Sequence, residues 1–299
     1  METTTPGLAV THRSTVTEEQ IDHLGHMNVR FYGVNAAAGT RALLGELGVP
    51  PGTGRVVDLY TRHLREQLLG AALLVRSGVV GVVLDGLRLY HELVNEATGD
   101  LAATFVHRVR LGPVDPAIAD AAAARVVDLP RHGAPRSVSL DTDPVASAPG
   151  IARLRALDLA VRKERAVTAE ECDAAGDYQP TMAAMLVWGG EPVDGRFPPL
   201  LHDGPNGERM GWASMETRMV VNRLPHLGER IQSFSAVTVL ADKVMQNIMW
   251  AYAVDSGELL TTFEVVNLAF DVNHRRPMPI PDRIRAYERR ILHPELAPE

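Results

Sequence analysis

The stretch VTEEQIDHLG, Val16 to Gly25, returns 151 residues later as VTAEECDAAG, Val167 to Gly176, with Val, Thr, Glu, Asp and Gly identical at five of ten positions. A second pair follows in the same order. TGDLAATF (Thr98 to Phe105) and SGELLTTF (Ser256 to Phe263) share four of eight residues at an offset of 158. Two ordered matches at nearly one offset read as a single domain used twice, with seven extra residues in the second copy. A length of 299 residues suits two domains of about 100–200 residues each.

Around the repeat each half carries one pattern. In the first, Phe31, Val34, Asn35, Ala38, Ala42, Leu43 and Leu47 recur near helical spacing, and Gly48, Pro50 and Pro51 end the helix. Strand-like runs follow at Val56–His63, Ala72–Val83, Gly86–Leu93 and Leu101–Leu111, separated by turn residues such as Asp85-Gly86 and Thr98-Gly99-Asp100. In the second half a helix over Thr181–Trp188 precedes a Gly/Pro-rich loop, Gly189 to Gly211. Strand-like runs then follow at Ala213–Arg223, Arg230–Leu240, Val244–Val254 and Glu258–Phe270. One helix on one face of an antiparallel sheet is an α+β architecture. The expected division is domain 1 over residues 1–115, a joining segment over 116–158, and domain 2 over 159–299 with a charged terminal helix, Pro281–Ile291. The joining segment reads as a short helix (AIADAAAARVV) and a Pro/Ser/Asp-rich linker from Pro130 to Pro149.

Composition narrows the functions. Apolar content of 45% and charged content of 22% exclude a disordered or collagenous chain. A net charge of −7 gives no reason to expect nucleic acid or an anionic membrane as partner. A single cysteine, Cys172, allows no internal disulfide and suits a reducing compartment. METTTPGLAV lacks the basic and apolar regions of a signal peptide, and the most apolar run, Leu73–Leu84, is interrupted by Arg76, Gly78 and Gly81. The expectation is a cytoplasmic protein without a membrane span. No G-x-x-x-x-G-K-[ST] phosphate loop and no G-x-S-x-G elbow occurs, which disfavours a nucleoside triphosphatase and a Ser–His–Asp hydrolase.

The residues richest in chemistry are Asp22-His23-Leu24-Gly25-His26-Met27-Asn28, just before the first helix. A carboxylate serves as general base or nucleophile. An imidazole and a carboxamide orient a substrate, and the N–H groups of a first helical turn polarise a carbonyl oxygen. Gly25 permits close approach to the backbone. The structural alternative makes Asp22 a turn residue, Asn28 an N-cap and His26 a satisfied interior side chain. Asp22, His23 and His26 also suggest a metal shell, but no cysteine and no placed His or carboxylate cluster completes it, so no metal is expected.

Asp22, Gly25, His26, Asn28 and Tyr32 match, residue by residue, the D-x-x-G-H-x-N-x-x-x-Y signature of hotdog-fold acyl thioesterases, and HLGHMNVRFYG resembles the 4-hydroxybenzoyl-CoA thioesterase-like group. The ending FDVNHRRPMPIPDRIR also resembles the final strand and tail of such enzymes. The resemblance covers about Ala9–Leu111 and Leu159–Arg290. It implies two tandem hotdog domains, each an antiparallel sheet wrapped on one central helix, pairing as a pseudo-dimer with a substrate tunnel between the halves. It implies hydrolysis of an acyl-CoA or acyl-carrier-protein thioester to the free acid and thiol. Asp22, His26 and Asn28 would then be catalytic, with Gly25, Met27 and Tyr32 binding substrate. No cofactor is implied beyond coenzyme A, which is part of the substrate, and self-association of the double unit stays open.

The second copy departs from the signature. Asp173 matches Asp22, but Asp177 stands for His26 and Gln179 for Asn28, and Pro180 opens the helix. GDYQP resembles the hotdog hydratase motif G-D-x-N-P-x-H, whose His is missing here, with Ala183 in its vicinity. The reading is one complete site and one altered site, in which Asp173, Asp177 and Gln179 position ligand. The alternatives are an enoyl-thioester hydratase or dehydratase, and a non-catalytic acyl-thioester-binding protein. Arg62, Arg65, Arg108, Arg110, Arg275 and Arg276 are candidates to meet phosphates, against solvated charges at strand ends. Trp188, Trp212 and Trp250 fall in the second half and read as core before pocket. Cys172 replaces Ile21 of the first copy and reads as a small buried hydrophobe.

Overall fold

The computed structural model describes residues 5–193, 202–203 and 209–299. The chain divides into two compact units, Met1–Arg136 and Ser137–Glu299, so the boundary lies within the joining segment.

Unit 1 runs β1 (Ala9–Thr15), a 3-10 turn (Glu18–Gln20), α1 (Val29–Glu46), β2 (Arg55–His63), β3 (Ala72–Val83), β4 (Gly86–Asn95), β5 (Leu101–Arg110) and α2 (Pro116–Ala123). Its strands are antiparallel in the order β1-β3-β4-β5-β2. Asn28 caps α1, its side-chain oxygen accepting the Arg30 N–H at 3.0 Å. At the other end Gly48 takes the left-handed conformation (φ 81°). The buried stripe is Tyr32, Asn35, Ala36, Gly39, Thr40, Leu43, Leu44 and Leu47. It keeps Asn35, Leu43 and Leu47 of the stripe expected from sequence but is rotated from the rest: Val34 is exposed, and the polar Thr40, outside that stripe, faces the sheet.

Two features explain that rotation. A Cβ on Gly39 would lie 2.6 Å from Val75 Cγ1, so the missing side chain lets α1 sit close on β3. Thr40 meets polar partners that the sheet supplies. Its hydroxyl lies 3.0 Å from His91 Nε2 and 2.9 Å from His107 Nδ1. His91 Nδ1 is 2.7 Å from Ser77 Oγ, which is 2.6 Å from Thr11 Oγ1. A buried polar chain thus crosses the helix–sheet layer with its groups bonded to one another, as burial requires. Around it pack Leu43, Leu44, Val79, Leu87, Leu89 and Val109 on one side, and Met27, Tyr32, Ala36, Val75, Leu93 and Phe105 on the other. The part of the expected linker that falls in unit 1 folds onto the sheet. His132 Nε2 is 2.9 Å from the fully buried Glu92 carboxylate, and Arg62 donates to His132 O.

Unit 2 runs α3 (Ile151–Arg155), β6 (Ala160–Val161), β7 (Arg165–Ala166), 3-10 turns at Ala169–Glu171 and Pro180–Met182, α4 (Met185–Trp188) and β8 (His202–Asp203). It continues through β9 (Arg209–Val221), β10 (Arg230–Leu240), β11 (Val244–Ala253), β12 (Leu259–Asp271), β13 (Arg276–Pro277) and α5 (Asp282–Glu288). The long strands are antiparallel in the order β9-β12-β11-β10, with β6 beyond β10. The helix expected over Thr181–Trp188 is reduced to a 3-10 turn and the single turn of α4. Gly189 is extended (ψ 156°), and a Cβ there would lie 2.5 Å from Met185 O. Gly190 is left-handed and its carbonyl accepts from Arg162. Those two glycines stop the helix. Much of the expected Gly189–Gly211 loop, residues 194–201 and 204–208, lies outside the described residues.

Trp250 is buried in the core with Phe234 and Ile248, Trp212 is half-buried against another cluster, and Trp188 meets Phe263 edge-on. Cys172 is buried among Val167, Tyr178 and Leu186. Burial and the nearby Glu171, Asp173 and Asp177 raise its thiol pKa, which disfavours the thiolate. Among the described residues no helix is long and apolar enough to cross a membrane.

Candidate active site

The motif residues form a compact loop that both units build bond for bond. In unit 1 the Asp22 N–H donates to His26 O, Gly25 N–H to Asp22 O, and Asn28 N–H to Gln20 O. In unit 2 Asp173, Gly176 and Gln179 donate to Asp177 O, Asp173 O and Glu171 O. Gly25 and Gly176 share a left-handed φ of 81° and 82°. Each aspartate also holds its own turn: Asp22 Oδ1 accepts the Leu24 N–H at 2.8 Å, and Asp173 Oδ1 accepts the Ala175 N–H at 2.9 Å. The turn role is therefore real in both copies.

Unit 1 adds groups that a turn does not need. Asp22 Oδ2 lies 3.4 Å from His26 Nδ1, and His26 Nε2 lies 3.5 Å from Glu66 Oε1. Asp22 and His26 side chains are only 14% and 13% exposed and Glu66 is 42% exposed, so this imidazole sits between one sheltered carboxylate and one half-exposed one, its Nδ1 also 3.5 Å from Met27 O. Glu66 comes from the loop between β2 and β3, forty residues along the chain. That loop is tied to the motif: Met27 N–H donates to Gln67 O, and the Tyr32 hydroxyl donates to Arg65 O at 3.0 Å. Burial, with nearby Glu66 and Asp22, pushes the Tyr32 phenol well above its ordinary pKa, so it stays a donor. Five backbone N–H groups of the loop, those of Asp22, Leu24, Gly25, Met27 and Asn28, are already donating; the His26 N–H has no partner among the described residues. A Cβ on the exposed Gly25 would meet nothing within 4 Å, so the space above the loop is open.

Asn28 is the N-cap of α1, and Met27 is buried in the core under it. Both hold the loop in place.

Unit 2 keeps the frame and loses the array. Arg223 N–H and Arg65 N–H make the same bond to the neighbouring strand (Leu260 O and Ala102 O), which aligns Leu224 with Glu66. Imidazole and second carboxylate are thus both replaced, by Asp177 and Leu224. Asp177 Oδ1 does meet an imidazole, His226 Nδ1 at 3.1 Å, but both side chains are mostly exposed. Gln179 Nε2 donates to Cys172 O and does not cap a helix. Asp173 Oδ1 also accepts the Asp177 N–H.

Most of the candidate arginines are occupied. Arg108 and Arg110 pair with Asp85, Arg65 with Asp100 and Arg276 with Asp271, while Arg62 is buried against His132 O. Arg275 is the non-glycine residue with positive φ among the described residues, at 54°. Among the described residues no group of three or more His, Cys, Asp or Glu is placed to hold a metal ion.

Fold comparison concerns the architecture alone. Similar solved structures include an acyl-ACP thioesterase from Bacteroides thetaiotaomicron, 10% identical over 87% of this chain and 98% of that one, with a TM-score of 0.63. A 12:0-ACP thioesterase from Umbellularia californica is 9% identical over 88% of this chain and 94% of that one, with a TM-score of 0.61. The chain has a hotdog-type α+β fold. At such identities the likeness shows the fold alone. No family model and no curated protein matches the chain. Within the fold, the long α1 on its sheet is present in unit 1 and shortened to one turn in unit 2.

Proposed function

We propose that this protein is an acyl thioesterase of the hotdog superfamily, hydrolysing an acyl-CoA or acyl-carrier-protein thioester at the Asp22–His26–Glu66 array of unit 1. The observation that carries the reading is His26 held between two carboxylates in the loop at the start of α1, an arrangement that the same loop in unit 2 lacks. The fold shared with two thioesterases supports it.

In this reading Asp22 Oδ1 keeps the turn and Oδ2 does the chemistry, activating water or attacking the carbonyl carbon directly. The His26 N–H is the donor aimed at the developing oxyanion, helped by the N-terminal end of α1. The imidazole, oriented by Glu66, assists departure of the thiolate. Asn28 acts as the cap that fixes the loop, Met27 anchors it, Gly25 leaves room for the thioester, and Tyr32 ties α1 to the Glu66 loop. Asp173, Asp177 and Gln179 form the altered counterpart, which lacks the imidazole–carboxylate pair.

The test is thiol release from a panel of acyl-CoA and acyl-carrier-protein thioesters. Release of free thiol supports the proposal. Hydration of an enoyl-CoA without thiol release would favour a hydratase, and binding with neither reaction would favour a non-catalytic acyl-thioester binder.

A further inference from the structure

One side chain of the loop that carries Glu66 is buried: Gln67, only 3% exposed. Its Nε2 donates to Glu66 O at 2.9 Å and lies 3.4 Å from Arg65 O, the carbonyl that also accepts the Tyr32 hydroxyl. Its Oε1 accepts from Asn95 Nδ2 at 2.9 Å. Asn95 closes β4, and its Oδ1 accepts the Ala97 and Thr98 N–H groups of the β4–β5 turn at 3.1 and 3.2 Å. Those two donors need an oxygen, so Asn95 faces Gln67 with its nitrogen. Gln67 meets that nitrogen with oxygen and turns its own nitrogen to the carbonyls. The bonds therefore run in one direction, from the β4–β5 turn to the backbone of Glu66. Unit 2 shows that the fold does not need these amides. Tyr178 N–H donates to Pro225 O as Met27 N–H does to Gln67 O, which aligns Pro225 with Gln67. Ala253 N–H donates to Glu258 O and Gly257 N–H to Ala253 O, as Asn95 N–H does to Asp100 O and Gly99 N–H to Asn95 O, which aligns Ala253 with Asn95. Loop and turn keep their bonds with proline and alanine there. Both amides stand in the unit that has His26 and Glu66, and both are gone where Asp177 and Leu224 replace that pair.

We propose that Gln67, oriented by Asn95, is a positioning residue that sets Glu66 against His26. This rests on the thioesterase reading. Glu66 Oε1 lies 3.5 Å from His26 Nε2 on a side chain that is 42% exposed, so its reach to the imidazole depends on where the backbone carries it. Gln67 fastens that backbone twice. Its side chain ties Glu66 O to the β4–β5 turn, and its carbonyl, 2.7 Å from Met27 N, ties the loop to the motif. A shift of about 1 Å in such a frame can cost about 100-fold in rate.

The experiment compares thiol release from an accepted acyl-CoA in the wild type, Glu66→Gln, Gln67→Met, Asn95→Asp and the double variant Glu66→Gln/Gln67→Met. Methionine keeps the length of glutamine without its hydrogen bonds. Asn95→Asp keeps the oxygen that the turn needs but offers Gln67 an acceptor, which turns the Gln67 amide around. Gln67→Met and Asn95→Asp should each lose roughly tenfold or more in kcat with KM within about twofold. The double variant should be no slower than Glu66→Gln, because Gln67 acts through Glu66. Losses that multiply mark a structural role and overturn the proposal. Undiminished kcat in Gln67→Met, or in Glu66→Gln, overturns it as well while the thioesterase reading stands. If Gln67→Met does not fold, Asn95→Asp, alone and combined with Glu66→Gln, decides by the same criteria. Absence of thiol release from any thioester by the wild type defeats the thioesterase reading instead. A crystal structure of Asn95→Asp then tests the positioning by itself. Glu66 Oε1 displaced from His26 Nε2 supports it, and the wild-type separation of 3.5 Å overturns it.

Discussion

Replacing Thr40 with valine should loosen unit 1 from its centre. Valine keeps the shape of threonine, so the change removes one hydroxyl and little else. That hydroxyl stands between His91 Nε2 and His107 Nδ1, and all three residues are at most 2% exposed. In neutral imidazoles one of those nitrogens donates to Thr40 and the other accepts from it. Both lose their partner, at roughly 1–3 kcal/mol each. The added methyl returns about 0.8 kcal/mol through burial. A net loss of roughly 1–5 kcal/mol follows. Tryptophan fluorescence would watch the wrong unit, because Trp188, Trp212 and Trp250 all lie in unit 2. Hydrogen exchange of the β4 and β5 amides reports unit 1, and the loss corresponds to roughly 5- to 5,000-fold faster exchange. Acceleration below about fivefold would refute the idea that the Thr11–Ser77–His91–Thr40–His107 chain holds helix to sheet.

Other outcomes follow from the same groups. Burial lowers the His107 pKa to about 4 and that of His91 well below 6.5, with His107 itself adding to the effect on His91. As pH falls from about 6.5 toward 4 the unfolded chain binds protons that the folded one refuses, so stability drops over that window. His107 alone accounts for roughly 3 kcal/mol over that whole window, and the part lost by pH 5 is visible as lower β5 protection factors at pH 5 than at pH 7, each rate being referred to the intrinsic exchange rate at its own pH. Burial raises the Glu171 pKa, but Arg165, the Thr168 N–H and the Tyr178 hydroxyl outweigh it and bring the carboxyl to about 2. Glu171→Gln should therefore cost unit 2 roughly 2–3 kcal/mol at pH 7, measured by tryptophan fluorescence in urea, with the difference from wild type shrinking below pH 4.5. Gly25→Ala meets open space but a left-handed backbone, so calorimetry should show a loss of about 1–2 kcal/mol without repacking.

Legibility in the sequence followed the range of each interaction. The duplicated loop was legible because its turn is local: Asp22 and Gly25, like Asp173 and Gly176, are close in sequence and recur at fixed spacing. Strand positions were legible from turn residues such as Thr98-Gly99-Asp100. The phase of α1 was not, because Thr40 is buried through partners on distant strands, a signal that hydrophobic spacing ignores. The shortened second helix was half-legible, since Gly189-Gly190 stands where it stops. Glu66 was invisible for a topological reason: β2 returns the chain to the motif loop forty residues later. The available hint was Arg65-Glu66-Gln67, a polar run joining two strands of the half that also carries the imidazole.

The central claim, chemistry at the unit 1 loop, is tested most directly by steady-state thiol release from an accepted acyl-CoA in Asp22→Asn and Asp173→Asn side by side. Both substitutions preserve the side-chain oxygen that accepts the turn N–H. The account predicts that Asp22→Asn loses at least about 100-fold in kcat and that Asp173→Asn loses far less. Undiminished turnover in Asp22→Asn, or an equal collapse in Asp173→Asn, would contradict it.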